Sequence, residues 1–295
     1  MKGIILAGGR GTRLYPITKT TTKSLLSVYD KPMVYYPLST LMLADIKDVL
    51  IICNPEDKEQ FQKLLKDGKH LGINISYAIQ TAPRGIADAF VVAEDFIKND
   101  DVCLILGDNI FYGADISEDV LKKGIEVVKN KRNGVIFSYR VNNPERYGVV
   151  KIDKRNGKIS SIEEKPKKPK SNYAVVGLYM YDSDVVSVAK NIEPSERGEL
   201  EITSVNNKYL EENRLELVQM GRGYTYFDSG TYDSLLESST FVYTVQSRQG
   251  LMISCIEEIA FNKGWINKEQ LIKLSEGLGK NKYSEYLYRI AIGEE

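Results

Sequence analysis

Two patterns of apolar spacing alternate through the first part of the chain. Short, almost wholly apolar runs occur at Lys2 to Ala7, Asp48 to Cys53, Asn74 to Ile79 and Val102 to Leu106. Each is strand-length and predicts a buried strand. Between them lie Pro32 to Leu43, Glu56 to Lys66 and Ile86 to Ile97, where apolar residues recur at helical spacing. Asp30 stands where the N-cap of the first helix belongs, with proline near its opening turn. Apolar strands separated by amphipathic helices predict a mostly parallel sheet covered on both faces, an α/β fold.

The middle of the chain reads differently. Val135 to Val141, Gly148 to Asp153, Lys158 to Glu164, Ala174 to Tyr181, Leu215 to Met220 and Tyr224 to Phe227 predict strands. Asn156-Gly157 is a hairpin turn signal, so part of this region is antiparallel. Lys165 to Lys170 predicts an exposed loop, with Lys167, Lys168 and Lys170 solvated. From Gln246 the pattern is helical: Ile256, Ile259 and Ala260, then Leu271, Leu274 and Leu278, share helical faces. This tail is too small to hold its own core. It packs on the main domain or on a second subunit. The division is a main domain over 1–245, in halves of about 1–130 and 131–245, and a helical region over 246–295.

Composition narrows the function. The 295 residues are 42% hydrophobic, enough for a substantial core. Lys+Arg and Asp+Glu are both 40, so the net charge is zero and no basic excess points to nucleic acid or a membrane surface. No run is long enough to span a bilayer, and no cleavage-like segment follows the first apolar run. Cys53, Cys103 and Cys255 are odd in number and widely spaced, which suits a reducing cytoplasm and gives no zinc pattern. Cys53 and Cys103 read as small core residues. The single histidine, His70, sits in a predicted loop, which argues against histidine acid–base chemistry.

Any phosphate affinity must then be local, and Gly8-Gly9-Arg10-Gly11-Thr12-Arg13-Leu14 supplies it. The loop follows the first strand directly. Glycines let backbone N–H groups approach a phosphate, and arginine adds charge and two-pronged hydrogen bonding. The dinucleotide fingerprint would need glycine at Leu14, and a P-loop would need Gly-Lys-Ser/Thr where Gly11-Thr12-Arg13 stands. A nicotinamide-dependent oxidoreductase is therefore a poor fit. A polyphosphate site remains.

This loop with Lys23 resembles the signature of the sugar-phosphate nucleotidyltransferases. So do Tyr29 to Ser39, Gly107 to Gly113, Glu164-Lys165-Pro166, Arg197 to Thr203 and Asp228-Ser229-Gly230-Thr231. In their order and spacing they resemble the glucose-1-phosphate thymidylyltransferase branch over essentially the whole chain. The resemblance implies a Rossmann-like nucleotidyltransferase fold with a small antiparallel sugar-binding part. It implies a reaction of dTTP with glucose 1-phosphate to give dTDP-glucose and pyrophosphate, with Mg2+ as cofactor, toward dTDP-rhamnose biosynthesis. It implies a cytoplasmic homotetramer under allosteric feedback by a deoxysugar nucleotide at a second site between subunits.

By the same resemblance Leu6, Gly8, Gly9, Gly11, Thr12, Arg13, Gln80, Gly85 and Asp108 bind the nucleotide. Arg13 stabilises the leaving pyrophosphate, Lys23 holds phosphate near the reacting centre, and Asp108 and Asp228 hold the metal. Asn109, Gly148, Glu164, Lys165 and Val175 line the sugar phosphate, with Lys165 neutralising it. Asp108 and Asp228 both follow predicted strands, where α/β sheets place their sites. Glu164 and Lys165 serve one site if their strand ends there, as Pro166 suggests. The chain departs from the family at Ser24, where glutamine is common, at Tyr232, where histidine is usual, and at Arg84. Ser24 leaves thymine or uracil preference open. A UTP-using uridylyltransferase and a non-catalytic sugar-nucleotide-binding regulator are the alternatives. The presence of Arg13, Lys23, Asp108, Lys165 and Asp228 disfavours the second.

Overall fold

The computed structural model describes residues 1–153 and 155–294. In chain order the strands are β1 (Lys2–Leu6), β2 (Ser27–Val28), β3 (Lys31–Pro32), β4 (Asp48–Cys53), β5 (Asn74–Ile79), β6 (Val102–Leu106), β7 (Asn109–Tyr112), β8 (Gly134–Arg140), β9 (Gly148–Ile152), β10 (Ile159–Glu164), β11 (Tyr173–Tyr181), β12 (Leu215–Met220) and β13 (Thr225–Asp228). The helices are α1 (Tyr35–Leu43), α2 (Lys58–Leu65), α3 (Asp88–Val92), α4 (Glu94–Ile97), α5 (Lys123–Lys131), α6 (Val185–Asn191), α7 (Ile202–Glu211), α8 (Tyr232–Gln249), α9 (Ile256–Asn262), α10 (Lys268–Gly277) and α11 (Lys282–Ile292).

The apolar runs of the first part form the parallel half of one sheet. β1 lies between β4 and β6, and β5 extends the edge beyond β4, all parallel. Alternate residues of β1 feed opposite faces, as strand geometry requires. Ile5 joins the core with Leu38, Leu41, Ile51 and Phe61, while Ile4 joins the core with Leu50, Phe90, Leu104 and Tyr181. The same sheet continues antiparallel through β11, which pairs with β6, β8 and β9, and β9 pairs with β10. β12 closes the other end, parallel to β8. The antiparallel part thus shares the central sheet. β9 and β10 are joined at the predicted Asn156-Gly157 turn, where Gly157 has φ 71.

β11 changes partners along its length. Its register against β8 breaks between Val175 and Tyr179. Gly177 sits in that break. Its N–H, with no place in a regular ladder, donates to Asn109 Oδ1 at 3.0 Å. Asn109 opens β7, which forms a two-stranded ribbon with β13, and Asp228 stands opposite Asn109 in it.

Several boundaries differ from the sequence reading. α1 starts at Tyr35, and Pro32 belongs to the β2–β3 pair. Asp30 does not cap α1. It is taken by Lys31 Nζ and by Gln246 Nε2, the latter at 2.8 Å. The reason is the burial of Lys31, which is 2% exposed and needs a carboxylate. The predicted helix from Glu56 begins as a 3-10 turn, Pro55–Asp57. The one from Ile86 is interrupted at Ala93, where φ −91 and ψ 7 leave the helical region. Ala87 N lies outside it and donates to Leu200 O at 3.1 Å.

The helical tail begins earlier than predicted. A capping box of Thr231 and Ser234 starts α8 at Tyr232, and this helix runs across residues 245 and 246. Cys255, Ile256, Ala260, Leu271 and Leu287 join the core cluster of Leu38 and Leu41, so the tail packs on the main body. Leu278 is instead 45% exposed, because α10 ends there and Gly279 (φ 75) turns the chain away.

Candidate active site

The loop after β1 is shaped by two left-handed glycines and one asparagine. Gly9 has φ 97 and Gly11 φ 57, values that side chains rarely adopt. Asn54, just past β4, clamps the loop on both sides. Gly9 N donates to Asn54 Oδ1 and Asn54 Nδ2 donates to Gly9 O, each at 3.2 Å. Gly8 and Gly9 therefore line a cleft of about 390 Å3 at the carboxyl ends of β1 and β6.

Gly11 and Thr12 do not line it. Gly11 O is taken by Thr18 Oγ1 at 2.7 Å, and exposed Thr12 opens a 3-10 turn, Thr12–Leu14, anchored by buried Leu14. That turn sends Arg13 back into the cleft. A Cβ on Gly230 would lie 2.7 Å from an Arg13 guanidinium nitrogen and 2.9 Å from Asp228 Oδ1. Only glycine leaves both side chains their places.

Asp108 arrives through Gly107, which closes against Ala7 and Ser24; a Cβ there would meet Ser24 Oγ at 2.7 Å. The Asp108 carboxylate is 5% exposed. Lys23 Nζ bonds its Oδ2, and Asn109 Nδ2 donates to its Oδ1 at 3.1 Å. Burial works against its ionisation. The Lys23 charge and hydrogen bond, its own backbone N–H and the Arg13 charge outweigh burial and hold it below the usual aspartate range. Asp228 goes the other way. Burial and then the Asp108 charge push it up, against the pull of Lys23, Arg13 and Arg146. Ser229 N donates to Asp108 O at 2.9 Å, so the two carboxylates are tied through backbone.

The opposite wall comes from the antiparallel strands. β10 ends at Glu164, and Lys165 takes φ 41, turning the chain so that both side chains face the cleft. Lys165 N donates to Tyr147 O at 3.0 Å. Gly148 pairs with Glu164 on one side and Val175 on the other, which brings these three together. Glu164 Oε2 accepts from Thr203 Oγ1 at 2.6 Å, and Lys165 Nζ lies 3.5 Å from Glu164 Oε1.

Gln80 and Gly85 close the cleft beside Gly8. Gln80 Nε2 donates to Asp88 Oδ2 at 2.8 Å, which leaves Oε1 beside Gly8, 3.3 Å from where a Cβ would stand. Gly85 (φ 101) lies under Leu200, whose carbonyl a Cβ would meet at 2.4 Å. Ser24 is fully buried against Gly107, outside the cleft lining.

Leu6, Gly8, Gly9, Arg13, Lys23, Gln80, Gly85, Asp108, Asn109, Gly148, Glu164, Lys165, Val175 and Asp228 thus face one cleft. Sequence reasoning missed others on its wall. Arg197 is held by Glu201 at 2.7 Å, Tyr226 OH donates to Asn109 Oδ1 at 2.9 Å, and Arg146, Tyr147 and Thr203 also line it. Arg197 to Thr203 stood out as a motif, but no role followed from it. Arg146 and Tyr226 carry no local signal.

A glycine loop at the end of a central strand, clustered cations and two carboxylates across a ribbon define a site built for two phosphate-bearing reactants, that of a nucleotidyltransferase. The chain belongs to the nucleotidyl transferase family, whose profile matches residues 2–244. It is 52% identical over 290 residues to a glucose-1-phosphate thymidylyltransferase of Neisseria meningitidis, covering 98% of this chain and 99% of that one. It is 50% identical to the Mycobacterium tuberculosis enzyme of the same name, with the same coverage. Among solved structures it is similar to a UDP-glucose pyrophosphorylase complexed with UDP-glucose: TM-score 0.73, 25% identity, 83% of this chain and 98% of that one.

Proposed function

We propose that this enzyme transfers a thymidylyl group from dTTP to glucose 1-phosphate, giving dTDP-glucose and pyrophosphate. An oxygen of the sugar phosphate forms a bond to the α-phosphorus as the bond from that phosphorus to the pyrophosphate oxygen breaks. Two polyanions must meet in line, so positioning and charge stabilisation carry the catalysis. The observation that bears most weight is convergence: Arg13, Lys23 and Lys165, from separate parts of the chain, line one cleft with Asp108 and Asp228. In this reading Arg13 stabilises the leaving pyrophosphate, Lys23 holds the transferring phosphate and Lys165 neutralises the sugar phosphate.

Asp108 and Asp228 offer the hard oxygen donors that Mg2+ prefers, and both carboxylates line one cleft, where burial and then the Asp108 charge raise the Asp228 pKa. Among the described residues no third His, Cys, Asp or Glu joins them, so substrate and water would supply the remaining ligands. Bound there, Mg2+ would neutralise phosphate charge.

UTP is the competing nucleotide. Identity of 52% over the full chain to a thymidylyltransferase outweighs 25% to the uridylyl enzyme. Steady-state kinetics with glucose 1-phosphate test this: kcat/KM for dTTP should exceed that for UTP by at least about tenfold. A preference for UTP overturns the assignment.

A homotetramer belongs to the same reading. Tyr232, Leu236 and Tyr243 leave an exposed apolar row on α8, with Leu236 68% exposed. Light scattering should give the mass of four chains; a monomer contradicts it. Feedback by a deoxysugar nucleotide and a cytoplasmic location complete the reading. The three unpaired, buried cysteines suit a reducing compartment.

A further inference from the structure

Most cations of the cleft are partly neutralised within the protein. Lys23 pairs with Asp108, Lys165 lies 3.5 Å from Glu164, and Arg197 lies 2.7 Å from Glu201. Two line the same cleft and have no ion pair among the described residues. One is Arg13, already given a role. The other is Arg146.

An unpaired surface arginine is ordinarily just solvated. Arg146 is set apart by how its backbone is fixed. It closes a 3-10 turn, Pro144–Arg146, whose Pro144 is buried, and Tyr147 N donates to Pro144 O at 3.0 Å. The next carbonyl, Tyr147 O, takes the Lys165 N–H at 3.0 Å. The Tyr147 ring packs on Tyr226, two residues before Asp228, with centroids 6.5 Å apart. The turn is therefore bound at once to the end of β10 and to β13. Arg146 lines the same cleft as Asp228 and as Arg13 of the glycine loop. The cleft thus holds two arginines with no ion pair among the described residues, one from each half of the catalytic body.

We propose that Arg146 is a further catalytic residue, binding the phosphate group under transfer from the β9 side while Arg13 reaches it from the β1 loop. The inference rests on the phosphoryl-transfer reading above. A guanidinium can donate two parallel hydrogen bonds to two phosphate oxygens. It transfers no proton. It stabilises charge as the new oxygen–phosphorus bond forms and the bond to pyrophosphate breaks. Lysine cannot reproduce the two-pronged geometry.

The test uses full-length Arg146→Ala and Arg146→Lys, with Arg155→Ala, a 91% exposed arginine on the β9–β10 turn, as control. Pyrophosphate release is followed with dTTP and glucose 1-phosphate, dTTP affinity by calorimetry, and folding by thermal midpoint. Arg146→Ala should lower kcat by about 100-fold or more while dTTP affinity stays within about threefold. Free guanidinium ion should restore part of that turnover, and Arg146→Lys should recover less than about a tenth of the parent rate. Arg155→Ala should match the parent. If Arg146→Ala folds and keeps kcat within about threefold, or changes KM alone, the inference is overturned. In that event an active parent and an inactive Arg13→Ala leave the functional reading standing. Should the alanine variant not fold, the lysine variant decides: parental kcat overturns the role. A parent that releases no pyrophosphate from these substrates overturns both.

Discussion

Asn109 shows how the smallest residues build this cleft. Its carbonyl oxygen takes the N–H of Gly177 at 3.0 Å and the hydroxyl of Tyr226 at 2.9 Å, while its amide donates to Asp108. A Cβ on Gly177 would lie 2.3 Å from that oxygen and 2.6 Å from Leu106. Gly177→Ala should therefore push Asn109 out of place. The expected result is a loss of about 1–3 kcal/mol in stability by denaturant titration, with a raised KM for glucose 1-phosphate. Unchanged stability and kinetics would contradict the packing described. At this scale the charged residues were legible, because glycine loops and strand-end carboxylates have a local signature. Gly11 and Thr12 lie outside the cleft lining, where the chain enters a 3-10 turn of which the sequence gives no sign. Arg146 and Tyr226 were illegible because only the tertiary arrangement gives them neighbours.

Elements followed their apolar pattern wherever burial alone decided them. Asp48–Cys53, Asn74–Ile79, Val102–Leu106 and Leu215–Met220 have the predicted bounds, each flanked by polar or turn residues. Helix starts followed it less well, because a distant partner competes for the cap. Asp30 is drawn to buried Lys31 and to Gln246 of α8. The tail shows the same competition. Glu257 of α9 is 6% exposed, accepts from Tyr283 OH of α11 at 2.6 Å, and lies near the start of α1 through Tyr35. Burial pushes its carboxyl above the ordinary value of 4.5, against hydrogen bonds from Tyr283, its own backbone and Cys255, and the Lys31 charge. The folded protein thus keeps this proton to higher pH than the unfolded chain. Stability then falls as pH rises through the interval above 4.5. In Glu257→Gln that part of the slope should vanish, read as thermal midpoint against pH. Parallel curves for parent and variant would contradict it.

At the scale of the whole molecule, function depends on one sheet changing character along its width. The parallel half offers β1 and β6, whose ends carry the glycine loop and Asp108. The antiparallel half offers β9, β10 and the bent middle of β11, which carry Gly148, Glu164 and Val175. β11 belongs to both: β6 and β9 pair in succession along one of its edges, and β8 runs along the other. Alternating strands and helices made the first half legible in the sequence. The joining of the halves through β11 was not, because strand order across a sheet leaves no periodic trace. The core of the tail was legible as apolar spacing, but its docking on α1 rests on packing between α1 and α9, elements distant in sequence.

The central claim is that both substrates meet in this cleft between Arg13 and the Asp108–Asp228 pair. The most direct measurement is the initial rate of pyrophosphate release from dTTP, for parent, Arg13→Ala and Asp228→Asn. Release should require glucose 1-phosphate and fall by about 100-fold or more in each variant, with the thermal midpoint preserved. Undiminished release in either folded variant would place the chemistry elsewhere.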